Sequence, residues 1–248
     1  MSTTPSSLEF LRSEAFRLGL QLDDVALDRF ERYLTLLLEW RERAGLTSIS
    51  DPLTIQQRHF VESVALLVAL RGGGLLHDEG GKIADLGTGA GFPGLPMRIV
   101  DPTLQLTLIE SSSRRCRFLE TVVDALHLDG VAVIQARAEE AGHDPVLRAG
   151  FDLVVARALA ALPILVEYAL PLLREGGILA APKGSRGASE LEAAAGAIAA
   201  LGGQAEGSLA LPLSEDVPPQ RVYMVRRVGR LDERFPRRPG VPSRRPLR

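Results

Sequence analysis

One cysteine, Cys116, in 248 residues excludes an intramolecular disulfide and a cysteine-built metal cluster, and no metal site is expected. The opening Met-Ser-Thr-Thr-Pro-Ser-Ser lacks the basic and apolar regions of a targeting signal, and no apolar run reaches membrane-spanning length. A cytoplasmic protein without a membrane partner is the resulting expectation, and a monomer is expected. Lysine is nearly missing: 27 of the 29 basic residues are arginine, leaving Lys82 and Lys183. Basic charge is also unevenly placed. Between positions 221 and 248 ten arginines face only Asp232 and Glu233, so the rest of a chain of net charge −2 is acidic. A basic tail on an acidic body points to a polyanionic partner such as nucleic acid.

What is present is ordinary globular composition, 46% apolar and 24% charged, in a length that suits one large α/β domain with a small appendage. Apolar residues recur at helical spacing over 7–18 and, behind Asp23 or Asp24, from Val25 to Leu38; Gly45 fits the stop. A third helix is predicted over 54–70, ending before Gly72-Gly73-Gly74. Residues 1–74 are therefore expected to form a helical cap packed on the remainder of the chain. From Lys82 the rhythm becomes strand–helix alternation. Strands are predicted at 82–86, 105–109, 131–135, 151–156, 178–181, 204–213 and 221–228, and helices at 114–126, 160–173 and 188–201. This divides the chain into a cap (1–74), an α/β domain (75–229) and a basic Arg/Pro-rich tail (230–248).

The chain is organised around Asp85-Leu86-Gly87-Thr88-Gly89-Ala90-Gly91-Phe92-Pro93-Gly94-Leu95-Pro96. A short buried strand runs into glycines that permit positive φ and close backbone approach, and prolines suit the first turn of a following helix. Gly89 to Gly94 matches the dinucleotide pattern G-x-G-x-x-G, but the first turn glycine is Gly87, which places Phe92 where the third glycine belongs. Asp85 immediately before the glycines would also repel a pyrophosphate. With Glu110 ending the next strand, the acid–glycine–acid arrangement resembles S-adenosylmethionine (SAM) methyltransferases, whose cofactor is cationic and phosphate-free. The expected fold is α/β, a Rossmann-like class I SAM-dependent methyltransferase with a central, mostly parallel seven-stranded sheet and an N-terminal helical extension.

The extension Gly91-Phe92-Pro93-Gly94-Leu95-Pro96 narrows the resemblance to the bacterial 16S rRNA guanine-N7 methyltransferase family, RsmG or GidB. Arg58-His59-x-x-Glu62-Ser63, Ser113-Arg114-Arg115-x-Arg117-Phe118-Leu119, Ala156-Arg157-Ala158, Lys183-Gly184 and the ending from Phe235-Pro236-Arg237-Arg238-Pro239-Gly240 carry it further. Departures are Gly45 and Glu62, where Asn and Asp are usual, and Pro182, which removes a backbone donor just before Lys183. The resemblance implies SAM contacts at Gly87, Phe92, Ala138, Glu139 and Arg157, with Glu110 on the ribose. Asp85, Gly89 and Gly91 complete the expected cofactor set. An arginine ending an apolar strand needs an anion, and for Arg157 the SAM carboxylate or an RNA phosphate is expected.

Methyl transfer to guanine N7 needs no general base, because N7 offers a lone pair and carries no proton. Arg157, Lys183, His59 and Arg58 are the candidates for gripping the base or its phosphates, in 16S rRNA or the small subunit. The tail is expected to be a phosphate-binding arm whose removal leaves SAM affinity nearly intact. The alternatives are a SAM-dependent methyltransferase acting on another RNA or on a protein, a catalytically silent RNA-binding module and, less well matched, an NAD-dependent oxidoreductase.

Overall fold

The computed structural model describes residues 8–76, 81–215 and 217–247. Its N-terminal part is helical: α1 (Glu9–Arg17), α2 (Asp24–Ala44), the short α3 (Pro52–Ile55) and α4 (Glu62–Gly72). Asp23 caps α2 by accepting the Ala26 N–H at 2.7 Å, and Gly45 ends it in the left-handed region. The helix predicted over 54–70 is interrupted, because Gln56–Val61, joining α3 to α4, is wound as a π-helix. Such bulges commonly mark functional places, and this one carries Arg58 and His59.

The sheet comes next: β1 (Lys82–Leu86), α5 (Gly94–Val100), β2 (Gln105–Glu110), α6 (Ser113–Ala125), β3 (Val131–Gln135), α7 (Ala138–Ala141), β4 (Phe151–Val155), α8 (Leu162–Ala169), β5 (Leu173–Lys183), α9 (Gly187–Ala193), α10 (Ala195–Ala200), β6 (Gly203–Ala210) and β7 (Arg221–Arg227). A last short helix, α11 (Val241–Arg244), lies in the C-terminal segment. Strand order is β3-β2-β1-β4-β5-β7-β6, parallel through β5 with β7 antiparallel to both neighbours. The order reverses between β1 and β4. In open α/β sheets that switch point opens a crevice at the carboxyl ends of the strands.

Alternation along each strand divides the core into two layers. Ile83, Leu106, Leu108, Leu153 and Val155 face α2, α4, α5 and α6, and Ala84, Ile109, Val154, Leu179 and Val225 face α8, α10, Leu231 and Phe235. The N-terminal helices therefore share the sheet's core. Among the described residues no helix is long and apolar enough to cross a membrane.

Four elements differ from the periodicity, the first being the helix predicted over 160–173, which spans only Leu162–Ala169 because Leu173 already belongs to β5. β5 begins at Leu173, five residues early, because Gly176 (φ 79°) and Gly177 form a bulge against Phe151 and Leu153 instead of a turn before the strand. The alanine-rich segment breaks into α9 and α10 around Ala194. β6 ends at Ala210 instead of 213. Pro182 stays inside β5: beyond the Val155–Ala180 pairing β5 has a partner only in β7, so a missing N–H is tolerated there.

Tyr33 on α2 fastens the helical part to the glycine turn. Its hydroxyl donates to the Ala90 carbonyl at 2.5 Å, and its ring stacks 5.4 Å from Phe92. Gly91 (φ 96°) makes this approach possible, since a Cβ there would lie 2.7 Å from the Tyr33 hydroxyl oxygen and also collide with Leu95. Gly91→Ala is accordingly expected to destabilise the fold by about 2–5 kcal/mol, strain of ~1–2 plus overpacking of ~1–3. At Gly89 (φ 63°) a Cβ meets nothing within 4 Å, so Gly89→Ala carries the strain alone. Denaturant midpoints of the two variants at constant m-value check the difference.

Candidate functional site

Asp85 is fully buried beneath the turn. Its Oδ2 accepts from the Thr88 hydroxyl at 2.6 Å and from the Gly94 N–H at 2.8 Å, and its Oδ1 has no hydrogen-bond partner. The first amide of α5 is thus spent on a carboxylate of the chain itself. Glu110, also buried, does the same to the turn: its Oε2 accepts from the Gly89 N–H at 3.0 Å and its Oε1 from the Ser112 N–H at 2.8 Å. With both amides so engaged, the turn offers negative charge where a pyrophosphate would need donors. This disposes of the dinucleotide reading.

A cleft of about 410 Å³ opens beside this turn, at the carboxyl ends of β1, β2 and β3. Gly87, Glu110, Ala138 and Glu139 line it, joined by Arg115 and Tyr168. A second, larger cleft of about 910 Å³ lies past the end of β4, with Arg58, His59, Arg157, Lys183 and Arg186 on its walls. The two share Ala158, which sits in the left-handed region at φ 55°. A non-glycine residue in that region is held there by its surroundings. Leu159, following it, covers Gly87, where a Cβ would clash with its side chain.

Arg157 organises the second cleft. Its Nη1 donates to the Arg58 carbonyl at 2.8 Å and to Glu62 Oε2 at 3.2 Å, and its Nη2 lies 3.1 Å from His59 Nδ1. Glu62 is itself buried, takes a second guanidinium from Arg58 at 3.3 Å and accepts from Gln220 at 3.0 Å. One anion that meets Arg157 is therefore Glu62, 95 residues earlier in the chain. His59 stacks on Phe92 at 4.6 Å with the rings 19° apart. His59 Nδ1 lies 3.1 Å from both the Arg157 guanidinium, which donates, and the Arg58 carbonyl, which accepts, and Nε2 lies 3.2 Å from the Thr47 hydroxyl. Burial, reinforced by the charge of Arg157, brings the His59 pKa down to about 4, so the ring is neutral near pH 7. Lys183 is half-hidden as well, donating to the Ala160 carbonyl at 2.6 Å and pairing with Glu190 at 3.0 Å.

The structure thus brings Gly87, Glu110, Ala138 and Glu139 to one cleft and Arg58, His59, Arg157 and Lys183 to the other. Four expected cofactor residues lie outside both. Asp85 is under the turn, Gly89 has its amide on Glu110, Gly91 makes room for Tyr33, and the Phe92 ring fills the core between Tyr33 and His59. Arg157, expected also at the cofactor, lines the second cleft. Sequence reasoning missed Tyr168, Ser243, Glu190 and Gln220. Nothing local marks any of these four, each brought to its cleft by packing of distant segments. Arg115 lies within the Ser113–Leu119 motif, whose pattern gives it no role.

The C-terminal segment departs furthest from expectation. It packs on the sheet through Leu231 and Phe235, and Arg237 forms a two-pronged pair with the fully buried Glu167, at 2.8 and 2.6 Å. Arg234 also pairs with Asp232, so part of the tail's basic charge is neutralised internally. Gly240 and Ser243 reach the first cleft.

Sheet order, a switch-point crevice and two carboxylates in place of phosphate donors define a class I methyltransferase fold with a site suited to SAM. Solved structures agree on the fold: MtNAS in complex with MTA and tNA superposes with a TM-score of 0.55 over 88% of this chain and 82% of that one, at 14% identity. A variant of MtNAS in complex with S-adenosylmethionine gives 0.52 over 90% and 78%, at 16% identity. The family model of GidB, rRNA small subunit methyltransferase G, matches residues 26–211. "Ribosomal RNA small subunit methyltransferase G" of Desulfitobacterium hafniense is 38% identical over 93% of both chains, and that of Roseiflexus castenholzii 42% identical over 92% of this chain and 95% of its own. The chain belongs to the GidB family of small-subunit rRNA methyltransferases.

Two buried groups of the site titrate against each other. Burial raises the Asp85 pKa to about 6, against the opposing pull of its hydrogen bonds and of Arg157. A carboxyl so raised favours the folded state most below about pH 4, and that stability is lost as pH rises through about 6. His59, lowered to about 4, contributes stability that is lost as pH falls from about 6.5 through 4. Each amounts to about 3 kcal/mol, and over the same window they offset. Asp85→Asn is expected to gain stability relative to the wild type between pH 4 and 6.5, and His59→Gln to lose it. Urea unfolding across pH 4–7 checks this, and curves parallel to the wild type would refute it.

Proposed function

We propose that the cleft walled by Glu110 and Glu139 holds SAM, and that the adjoining cleft around Arg157 and Lys183 receives a guanine of 16S rRNA, whose N7 accepts the methyl group. The observation that carries this reading is the meeting of the two clefts at Ala158, one with Glu110 and Glu139 on its wall beside Arg115 and Arg137, the other with Arg58, Arg157, Lys183 and Arg186 against Glu62 and Glu190. The residues present fit the cofactor by their chemistry. Glu110 retains acceptor capacity for ribose hydroxyls after two backbone donors, and the turn presents no free phosphate cradle.

SAM supplies a methyl group already activated on a sulfonium. The chain's contribution is placement. Glu110 and Glu139 fix one end of the cofactor cleft, and the Ala158–Leu159 segment borders the junction through which donor and acceptor must face each other. Holding two reactants in line accounts for much of the acceleration such a transfer needs. No group is required to remove a proton from N7, and the neutral His59, enclosed by Phe92, Thr47 and Arg157, is placed as a support for Arg157. Glu62 orients the same guanidinium from its other edge.

N7 of a paired guanine is inaccessible in the narrow major groove of A-form RNA, so the target nucleotide must lie in a loop or leave its stack. The open cleft of Arg58, Arg157, Lys183 and Arg186 has the charge to hold its phosphates.

This assignment has two expected outcomes. Glu110→Ala should weaken SAM binding at least tenfold, since a hydrogen bond to a charged acceptor contributes about 1.5–3 kcal/mol, as calorimetry would show. Arg186→Ala should lower rRNA affinity and reduce the log–log salt slope by roughly 0.7–0.9 if one phosphate contact is lost, with SAM affinity unchanged. Mass spectrometry of small-subunit rRNA with and without the gene tests the whole reading, which fails if no N7-methylguanosine disappears.

A further inference from the structure

The C-terminal segment does more than cover the sheet. Gly240 and Ser243 stand on the wall of the smaller cleft with Glu110 and Glu139, Gly240 next to Glu139. The Gly240 N–H donates to Glu139 Oε1 at 2.8 Å across 101 residues of sequence. Tyr168 lines the same cleft, its hydroxyl in the neighbourhood of Glu139 and Ser243, and the Ser243 hydroxyl donates to the Gly240 carbonyl at 3.1 Å. Glu139 is therefore held by the tail directly, through the Gly240 amide. Gly240 adopts φ 77°, a conformation that suits glycine, and this turns its amide toward the carboxylate.

The segment is positioned by an anchor built upstream of it. Arg237 brings three donors to Glu167: its backbone N–H at 2.9 Å, Nε at 2.8 Å and Nη2 at 2.6 Å. Glu167 is completely buried, so losing this partner would strand a charge in the core. Arg148 donates to the Phe235 carbonyl at 2.8 Å, and His143 Nε2 donates to the Pro236 carbonyl at 2.6 Å. Gly142 lets Pro236 pack closely, since a Cβ there would lie 2.6 Å from its ring. So many bonds within three residues fix the register in which Gly240 and Ser243 meet the cleft.

We infer that residues 239–244 are part of the cofactor site: they form the wall on the β3 side and hold Glu139 in the orientation that receives the adenosine end of SAM. This rests on the assignment of that cleft to SAM, and it reverses the expectation that the tail can be removed without cost to cofactor affinity. Gly240 and Ser243 act on binding, and Arg237 and Glu167 are positioning residues behind them.

The test measures S-adenosylhomocysteine affinity by calorimetry for the full chain, a chain ending after Arg238, Ser243→Phe and Glu110→Ala. Ending after Arg238 keeps Leu231, Phe235 and the Arg237–Glu167 pair, and Ser243→Phe alters an exposed position that faces the cleft. Both are expected to weaken binding at least tenfold, as is Glu110→Ala. For Ser243→Phe, KM for SAM should rise by a similar factor with kcat at saturating SAM changed less than twofold, a split that general loss of structure would not give. If the shortened chain does not fold, Ser243→Phe decides alone. Normal affinity in Ser243→Phe and in a folded shortened chain, with binding lost in Glu110→Ala, overturns the inference and leaves the cleft assignment standing. Normal affinity in all three overturns the cleft assignment, and the inference with it.

Discussion

A fully buried carboxylate, Asp85, holds the centre of this molecule together. Its Oδ2 ties the Thr88 side chain and the first amide of α5 to the end of β1, which sets the path of the glycine turn. The cost of burying it is visible in a pKa raised to about 6 and in an oxygen left without a partner. Two partners on one oxygen compensate in part, and a turn fixed from beneath keeps its upper side available. Gly89 is then free to bind Glu110, and Gly87 to border the cleft.

The helical N-terminal part is coupled to the same turn. Tyr33 reaches the Ala90 carbonyl, Phe92 lies between Tyr33 and His59, and Arg157 joins His59 to Glu62. The π-helical winding of 56–61 carries Arg58 and His59 to the end of β4, where the Arg58 carbonyl and the His59 ring both meet Arg157. One connected set of contacts thus runs from α2 through the turn to the wall of the larger cleft. The glycine turn and the wall of the larger cleft share a support, so a change at Phe92 would reach both.

The succession of strands along the chain, the turn and the acid ending β2 were legible because each is a local property. Glycines at positive φ, apolar runs of strand length and an acid at a strand end are written in consecutive residues. Legibility of the site stopped at the side chains. A carboxylate beside a glycine turn reads equally well as a ligand contact or as a support, and that Asp85 is buried and bonded to Thr88 and Gly94 came only from the structure. The same ambiguity attached to Phe92, whose ring belongs to the core.

By itself the sequence determined a SAM-type α/β domain with helices ahead of it, its family and Glu110 as the acid of the second strand, since these depend on short-range pattern and spacing. The tertiary structure decided which anion meets Arg157 and where the basic tail goes. Glu62 and Arg157 are 95 residues apart, and Glu139 and Gly240 are 101 apart. Pairings of that range exist only after the sheet has closed, when a buried charge takes the nearest partner that the packing supplies. Arg237 found Glu167 for that reason, and the arginine-rich ending, which composition suggested as a phosphate-binding arm, packs on the sheet and lines the smaller cleft with Gly240 and Ser243.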